Sequence, residues 1–273
     1  MLDLDAPYPL AAEQIAAFRE DGYIKLKDVL PRETLQRCGA EITRLVIALN
    51  TADRPLADRT TYGKAFLQVS NLWRHSTTVE DLVRSRRLAR IAADLLEVDG
   101  VRLYHDQALY KEPGGGITPW HADQYYWPLA SDRAVTIWIP LQQTPIAMGP
   151  LSFCVGSHRL DLERGLEISD ESEARIQAEV AGAELAVDES AFDLGEVSYH
   201  LGWTFHRAGP NAADRPRGVM TMIYIDAAMT LAAPTNRNQQ ADWERWMPGV
   251  DIGERIDTPQ NPLLFCHESR RAG

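Results

Sequence analysis

His121 and Asp123 form the first candidate for chemistry in this sequence, because they are a histidine and a carboxylate two residues apart. On an extended strand, side chains two residues apart point to the same side, so this pair can meet one cation. Short motifs of this kind also arise by chance, and the pair alone is weak evidence. A glycine run at 114–116 places the pair where a flexible loop meets a strand, which is a common position for site residues.

His206 is the candidate for a third ligand from a distant strand. A strand signal begins at 195–197, and a turn begins at Pro210 directly after the histidine. Two histidines and one carboxylate on one face of an octahedral ion leave the opposite face open, as in non-haem Fe(II) oxygenases. The same ligands also bind zinc in hydrolases, where the ion activates water. Because both imidazoles must be neutral to bind a metal, we expect activity to fall as the pH drops through the imidazole range.

Arg217 is the fourth candidate, and it begins a strand after the turn-rich stretch 210–216. Its side chain could therefore return toward His206 across a hairpin. A guanidinium among apolar neighbours needs an anion, and its planar fork suits a carboxylate. A dicarboxylate co-substrate would meet this need, whereas a zinc hydrolase has no use for such an anchor. Two alternatives stay open: an arginine at a surface turn, and a binding protein with a non-catalytic metal site.

Aromatic residues near the ligand candidates could line a substrate pocket. Tyr125, Tyr126 and Trp127 follow the first pair, and Trp203 lies three residues before His206. Large aromatic side chains at such spacing are equally common in protein cores, so both interpretations stand. Structural or surface roles are expected for the other histidines, His75, His105, His158, His200 and His267.

The elements that must position these residues change in character near residue 100. Apolar side chains at helical spacing predict a mainly helical flank over 1–100. Short β-branched and aromatic segments over 101–227 predict an antiparallel sandwich or barrel. Within it, the acidic, alanine-rich stretch 161–190 predicts a partly helical insertion, either a solvated excursion or a substrate lid. Residues 228–273 are expected to wrap the barrel, so that 1–273 form one domain.

Composition excludes several classes of protein and partner. The 273 residues are 45% hydrophobic and 25% charged, as in ordinary folded proteins. A net charge of −11 argues against nucleic acid and anionic membranes as partners and leaves a small molecule, while the oligomeric state is not predicted. Three distant cysteines without a CxxC pair favour a reducing compartment. We expect a cytoplasmic protein, because no leader pattern or apolar run of about 20 residues is present.

The order of these motifs resembles the phytanoyl-CoA dioxygenase (PhyH) family of Fe(II)/2-oxoglutarate oxygenases. The resemblance covers residues 10–265, including an N-terminal segment at 18–23. Its further motifs are Tyr110-Lys111-Glu112-Pro113, His121-Ala122-Asp123, Trp138-Ile139-Pro140-Leu141, Gly149-Pro150-Leu151, Gly156-Ser157-His158, His206 and Arg217. The resemblance implies a mainly β fold with flanking helices, a double-stranded β-helix or jelly-roll barrel.

The resemblance also implies a chemistry. Iron would be bound by His121, Asp123 and His206, and Arg217 would bind the distal carboxylate of 2-oxoglutarate. With O₂ as oxidant, such an enzyme hydroxylates an unactivated C–H bond of a small organic metabolite and releases succinate and CO₂. Related halogenases carry a small residue in place of the carboxylate, so Asp123 predicts hydroxylation or a related oxidation and not chlorination. The net charge disfavours a CoA thioester, and a neutral or weakly charged metabolite is expected.

Four further positions concern the co-substrate pocket. Gln107 and Trp138 match family positions that line it. Family members often carry a hydroxyl residue two positions after the second histidine, where this sequence has Ala208. The hydrogen bond to 2-oxoglutarate that this hydroxyl makes would then be missing, or another group such as Thr136 would supply it.

Overall fold

Two antiparallel sheets form the centre of the molecule in the computed structural model, which describes residues 4–52, 54–162 and 164–267. The strands of the larger sheet are β1 (Tyr23–Leu26), β2 (Leu67–Ser70), β3 (Gly100–Lys111), β5 (Ala134–Pro140), β8 (Val197–Leu201), β10 (Arg217–Asp226) and β11 (Leu263–Cys266). Those of the smaller sheet are β4 (Thr118–His121), β6 (Leu151–Cys154), β7 (Val187–Asp188) and β9 (His206–Ala208). The strand orders are β1-β8-β5-β10-β3-β11, with β2 also on β3, and β4-β9-β6-β7.

Helices flank the two sheets. The helices are α1 (Ala12–Asp21), α2 (Arg32–Leu49), α3 (Thr61–Ala65), α4 (Thr77–Val83), α5 (Arg86–Leu96), α6 (Asp170–Gly182) and α7 (Arg237–Trp246). In α5, Leu88, Ile91 and Leu95 recur at helical spacing and are fully buried, and the Ser85 hydroxyl accepts a hydrogen bond from the Leu88 amide at the helix start. The main apolar core lies between the larger sheet and the helices α1, α2, α4 and α5. Helix α6 packs on β4 of the smaller sheet, and Trp246 of α7 belongs to a separate apolar cluster.

Strand β10 organises the inner face of the larger sheet, because it pairs with β3 on one side and β5 on the other. Its even-numbered residues Met220 and Met222 belong to the core under the helices. Its odd-numbered residues point to the opposite face, as the period of two predicts. Arg217, Thr221 and Ile223 from this set line one cavity between the two sheets.

The C-terminal segment returns to the larger sheet through polar contacts. The Arg102 guanidinium makes two 2.7 Å hydrogen bonds to the Asp257 carboxylate. The buried Asn261 amide donates to the backbone carbonyls of Leu103 and Tyr104 at 3.2 and 3.0 Å. These bonds fix residues 257–261 against β3, one strand of the cavity wall.

Three sequence-based expectations involve residues that the structure does not describe. Residues 1–3 and 268–273, the ends of the predicted flank and wrap, lie outside the described residues, as does most of the N-terminal stretch on which the absence of a leader was judged. In the described part of the chain, no helix has the length and apolar character needed to cross a membrane. Cys38, Cys154 and Cys266 are free thiols.

Candidate metal centre

Three of the predicted site residues converge where the smaller sheet meets the cavity. His121 ends β4, His206 begins β9, and the two are register partners with ring centroids 4.1 Å apart. Asp123 follows in the next turn, and its Oδ1 lies 3.7 Å from His121 Nε2 and 3.6 Å from His206 Nε2. One ligand atom from each residue lies within 4.8 Å of the others. The strand pairing thus brings residues 85 positions apart in sequence to one point.

Both imidazoles are oriented by the backbone. The Nδ1 atom of His121 lies 2.7 Å from the Pro119 carbonyl oxygen, and that of His206 lies 2.9 Å from the Thr204 carbonyl oxygen. A carbonyl oxygen can only accept a hydrogen bond, so each Nδ1 carries the proton. Each Nε2 therefore presents its lone pair to the space beside Asp123, which is the tautomer that a metal ligand requires.

Asp123 is held by two hydrogen bonds to its second oxygen. The Thr136 hydroxyl donates to Oδ2 at 2.8 Å, and His200 Nε2 lies 3.3 Å from the same atom. Burial would raise the pKa of Asp123, but the surrounding histidines, His206 foremost, hold it below its usual value. The side chain is therefore a carboxylate that keeps Oδ1 free for a cation.

The acid sensitivity of this centre should differ from that of exposed histidines. Burial, followed by the nearby second histidine, lowers the pKa of His121 to about 3, and burial lowers that of His206 to about 4. Both rings are then neutral above these values, so protons compete with a metal only at more acidic pH than the sequence-based expectation assumed. We expect the Kd for Co(II) to stay nearly constant from about pH 8 to pH 5.5. Measuring the Kd for Co(II) at several pH values across this range tests the prediction. A steep increase in this Kd below about pH 6.5 would contradict it.

Thr136 contacts a predicted metal ligand. Its hydroxyl donates to Asp123 Oδ2, and because the side chain also lines the cavity, its contact with 2-oxoglutarate stays a prediction. Removing a hydrogen bond to a metal ligand usually lowers metal affinity 10- to 100-fold. We expect about a tenfold increase in the metal Kd for Thr136→Val, which keeps the side-chain shape. Thr144→Val, at a buried threonine away from the cavity, is the matched control, and equal Kd values for the two variants would refute the role.

A cavity of about 430 Å³ opens beside the three ligands. Gln107, Trp138 and Thr136 line it, as do Tyr126 and Trp127. The register explains this grouping, because Thr221 lies between Gln107 and Trp138 across the sheet, and Ile223 lies between His105 and Thr136.

Two of the predicted aromatic residues occupy other places. Among the described side chains that line the cavity, neither Tyr125 nor Trp203 is present. The Tyr125 carbonyl accepts hydrogen bonds from the side chains of Gln239 in α7 and Asn236 at the N-cap of α7. Trp203 packs under the Arg164 guanidinium at 4.7 Å and borders a separate surface pocket. Only the middle of this aromatic group, Tyr126 and Trp127, therefore faces the candidate site.

Arg217 lies at the cavity wall as a buried cation that forms no ion pair with an acidic residue in the described part of the chain. Its side chain is 1% exposed, and its guanidinium stands 5.4 Å from the Trp138 ring. Nη1 donates to the Gly149 carbonyl, but Nε is buried with no hydrogen-bond partner. No carboxylate among residues 4–52, 54–162 and 164–267 forms an ion pair with it, and burial lowers its pKa to about 9. A charge in this state is costly unless an anion binds beside it.

Several cavity residues were missed in the sequence. His200 and His105 were grouped with structural histidines, yet both line the cavity. His105 is 6% exposed and stacks on Trp246 of α7, with ring centroids 4.5 Å apart. The Tyr104 hydroxyl donates to Asp242 of the same helix, and burial raises the pKa of Asp242 to about 7. Two tryptophans, Trp243 and Trp246, in a mostly polar helix were the available signal for this wall.

Comparison with known proteins agrees with this geometry. The family model for phytanoyl-CoA dioxygenase (PhyH) matches residues 18–219. An ectoine dioxygenase from Sphingopyxis alaskensis is 29% identical, with 94% of this chain and 88% of that protein covered. A 1-deoxypentalenic acid 11-beta-hydroxylase from Streptomyces exfoliatus is 26% identical, with 74% and 75% covered.

A solved structure supports the predicted architecture. The epimerase SnoN from nogalamycin biosynthesis, in complex with Fe³⁺, alpha-ketoglutarate and nogalamycin RO, has a TM-score of 0.76 at 24% identity, with 93% of this chain and 98% of that chain covered. This likeness confirms the jelly-roll fold with flanking helices. Because the matched family segment includes both ligand-bearing strands and Arg217, the chain belongs to the phytanoyl-CoA dioxygenase family.

Proposed function

We propose that this protein is an Fe(II)/2-oxoglutarate-dependent dioxygenase in which His121, Asp123 and His206 bind the iron. The donor set fits the metal, because two neutral imidazole nitrogens and one carboxylate oxygen converge within 4.8 Å. The hydrogen bonds at both Nδ1 atoms and at Asp123 Oδ2 are those that orient metal ligands.

Arg217 is the observation that favours an iron oxygenase over a zinc hydrolase. Both would use the same three ligands, but only the oxygenase needs an anchor for a dicarboxylate. A buried guanidinium that has no counter-ion among the described residues, in the same cavity as the ligands, fits the distal carboxylate of 2-oxoglutarate. Gln107 and Trp138 would contact the co-substrate from the neighbouring strands, and Thr136, which lines the same cavity and donates to Asp123, would be a further contact.

The protein itself positions the substrate and co-substrate at the metal and keeps water out of the site. When bound, Fe(II) and 2-oxoglutarate supply the oxidising chemistry with O₂, and 2-oxoglutarate leaves as succinate and CO₂. The aromatic walls, Tyr126, Trp127 and Trp246 among them, would hold the apolar part of a small organic substrate over the centre. The relatives named for ectoine and 1-deoxypentalenic acid support a small metabolite as the substrate class and hydroxylation of a C–H bond as the reaction.

We further propose a cellular location, a lack of nucleic-acid binding and a domain organisation for this enzyme. Three unpaired cysteines support a reducing, cytoplasmic location. The net charge of −11 supports a protein that does not bind nucleic acid. We treat 1–273 as a single oxygenase domain, since the helices before residue 100 and the segment after residue 228 pack on the same sheets.

Turnover of 2-oxoglutarate tests the proposal directly. The purified protein is incubated with Fe(II), ascorbate and labelled 2-oxoglutarate, and uncoupled succinate formation is expected even without substrate. A metabolite extract is then compared by mass spectrometry before and after turnover, with a gain of one oxygen as the expected change. Hydrolysis of esters by the zinc-loaded protein, without succinate formation by the iron-loaded protein, would overturn the proposal.

A further inference from the structure

Helix α6 connects the acidic insertion to the two strands that carry the histidines. It packs against β4, and its apolar residues Ile176 and Val180 are buried in a cluster with Trp120 and Phe205. Trp120 immediately precedes His121, and Phe205 immediately precedes His206. The insertion therefore touches the chain directly beside both histidine ligands.

Glu173 of this helix contacts both strands through one carboxylate. Its Oε2 accepts a hydrogen bond from the Trp120 backbone N–H at 2.7 Å, and its Oε1 accepts one from Arg207 Nη1 at 3.0 Å. Arg207 immediately follows His206 in β9. We propose that Glu173 is a positioning residue that fixes the spacing of the two histidine ligands.

The strand pairing explains why such a residue is needed. The register of β4 with β9 is irregular between Thr118 and His121. At such an irregularity the ladder is locally disrupted and a residue is left unpaired. The Trp120 amide lies in this stretch, and Glu173 supplies its acceptor. The carboxylate thus satisfies a backbone N–H one residue before a metal ligand.

The contacts form a closed ring of three interactions. Glu173 holds the Trp120 amide, the Trp120 indole lies 5.2 Å from the Arg207 guanidinium, and Arg207 returns to Glu173. Glu189 lies 3.7 Å from Arg207 on its other side. The Glu173 side chain is 17% exposed, so the contacts are sheltered from solvent. Charge-assisted hydrogen bonds in a sheltered ring hold distances more firmly than exposed ion pairs do.

This arrangement gives the 161–190 insertion a role that the sequence did not suggest. Neither a solvated excursion nor a lid over the substrate requires a carboxylate beneath the ligand strands. Through Glu173, docking of α6 sets the separation of the His121 and His206 Nε2 atoms from Asp123 Oδ1, which are 3.7 and 3.6 Å. The inference rests on the proposed function, because it concerns the same metal site.

Metal affinity and geometry test the inference without any organic substrate. We expect the Kd for Co(II) to rise about 10- to 100-fold in Glu173→Ala, the effect typical of removing a residue that orients a metal ligand. The rise should be smaller in Glu173→Gln, because its amide oxygen can still accept the hydrogen bond from the Trp120 amide. The visible Co(II) absorption should change shape in the alanine variant, since ligand spacing sets the coordination geometry. Glu171→Gln, at an exposed position in the same helix, is the matched control.

Each outcome supports or overturns the inference. Unchanged Kd and spectrum in both Glu173 variants, with the unsubstituted protein binding Co(II), would overturn it and leave the proposed function intact. No metal binding by the unsubstituted protein would overturn both. If Glu173→Ala does not fold, Glu173→Gln and Arg207→Gln provide the measurement, and a larger Kd than that of Glu171→Gln in both supports the role.

Discussion

Replacing Asp123 with glycine should remove metal binding and 2-oxoglutarate turnover together. Asp123 Oδ1 is the one carboxylate oxygen within 4 Å of both histidine Nε2 atoms in the described residues. Without it the ion loses its anionic ligand and keeps two neutral ones. Loss of a residue that only hydrogen-bonds to a metal ligand typically lowers metal affinity about 10- to 100-fold. We therefore expect loss of the ligand itself to lower Fe(II) affinity by more than about 100-fold. Succinate formation should fall to background at Fe(II) concentrations that saturate the unsubstituted protein.

Asp123→Asn separates the loss of the ligand from damage to the fold. The asparagine keeps an oxygen that can accept from Thr136, whereas glycine leaves that hydroxyl and His200 Nε2 without their acceptor. Each unsatisfied buried group costs about 1–3 kcal/mol, so the glycine variant should unfold at a lower temperature than the asparagine variant. Asp251→Gly, at an exposed carboxylate, is the control for loss of charge. Succinate formation by Asp123→Gly at the parental rate would refute the ligand assignment.

Sequence patterns predicted the local part of the site. His121 and Asp123 are two residues apart, and Arg217 starts a strand after a turn, so each can be placed from neighbours along the chain. The alternation along β10, with Arg217, Thr221 and Ile223 on the cavity side, follows from the same periodicity. The family resemblance added the jelly-roll fold, which the comparisons confirm.

The rest of the site depends on pairings between distant segments. His200 reaches Asp123 because β8 pairs with β5 and sets His200 opposite Thr136, a register that no local pattern specifies. His105 enters the cavity wall in the same way, opposite Ile223. The pKa values of the ligand histidines could not be anticipated either, because burial determines them and burial arises only when the two sheets pack together.

Arg217→Met should weaken 2-oxoglutarate binding without affecting the metal. Hydrogen bonds between charged groups contribute about 1.5–3 kcal/mol, which corresponds to an increase in Kd of about 10- to 150-fold. The Kd of Arg217→Lys for 2-oxoglutarate should lie between those of the parental protein and Arg217→Met, since lysine keeps a positive charge but lacks the planar fork. The Kd for Co(II) should stay within about twofold of the parental value in both variants, because Arg217 makes no contact with the three ligands in this structure.

Thermal unfolding provides an independent check on Arg217. In the free protein its burial is unfavourable, as the lowered pKa of about 9 indicates, so methionine should not reduce the unfolding temperature greatly. Addition of 2-oxoglutarate with metal should raise the unfolding temperature of the parental protein, because a ligand stabilises the state that binds it. This rise should disappear in Arg217→Met at the same concentration. An equal rise in both proteins would show that another group anchors the dicarboxylate, and Lys111, buried beside Arg217 across the strand pair, would be the next residue to test.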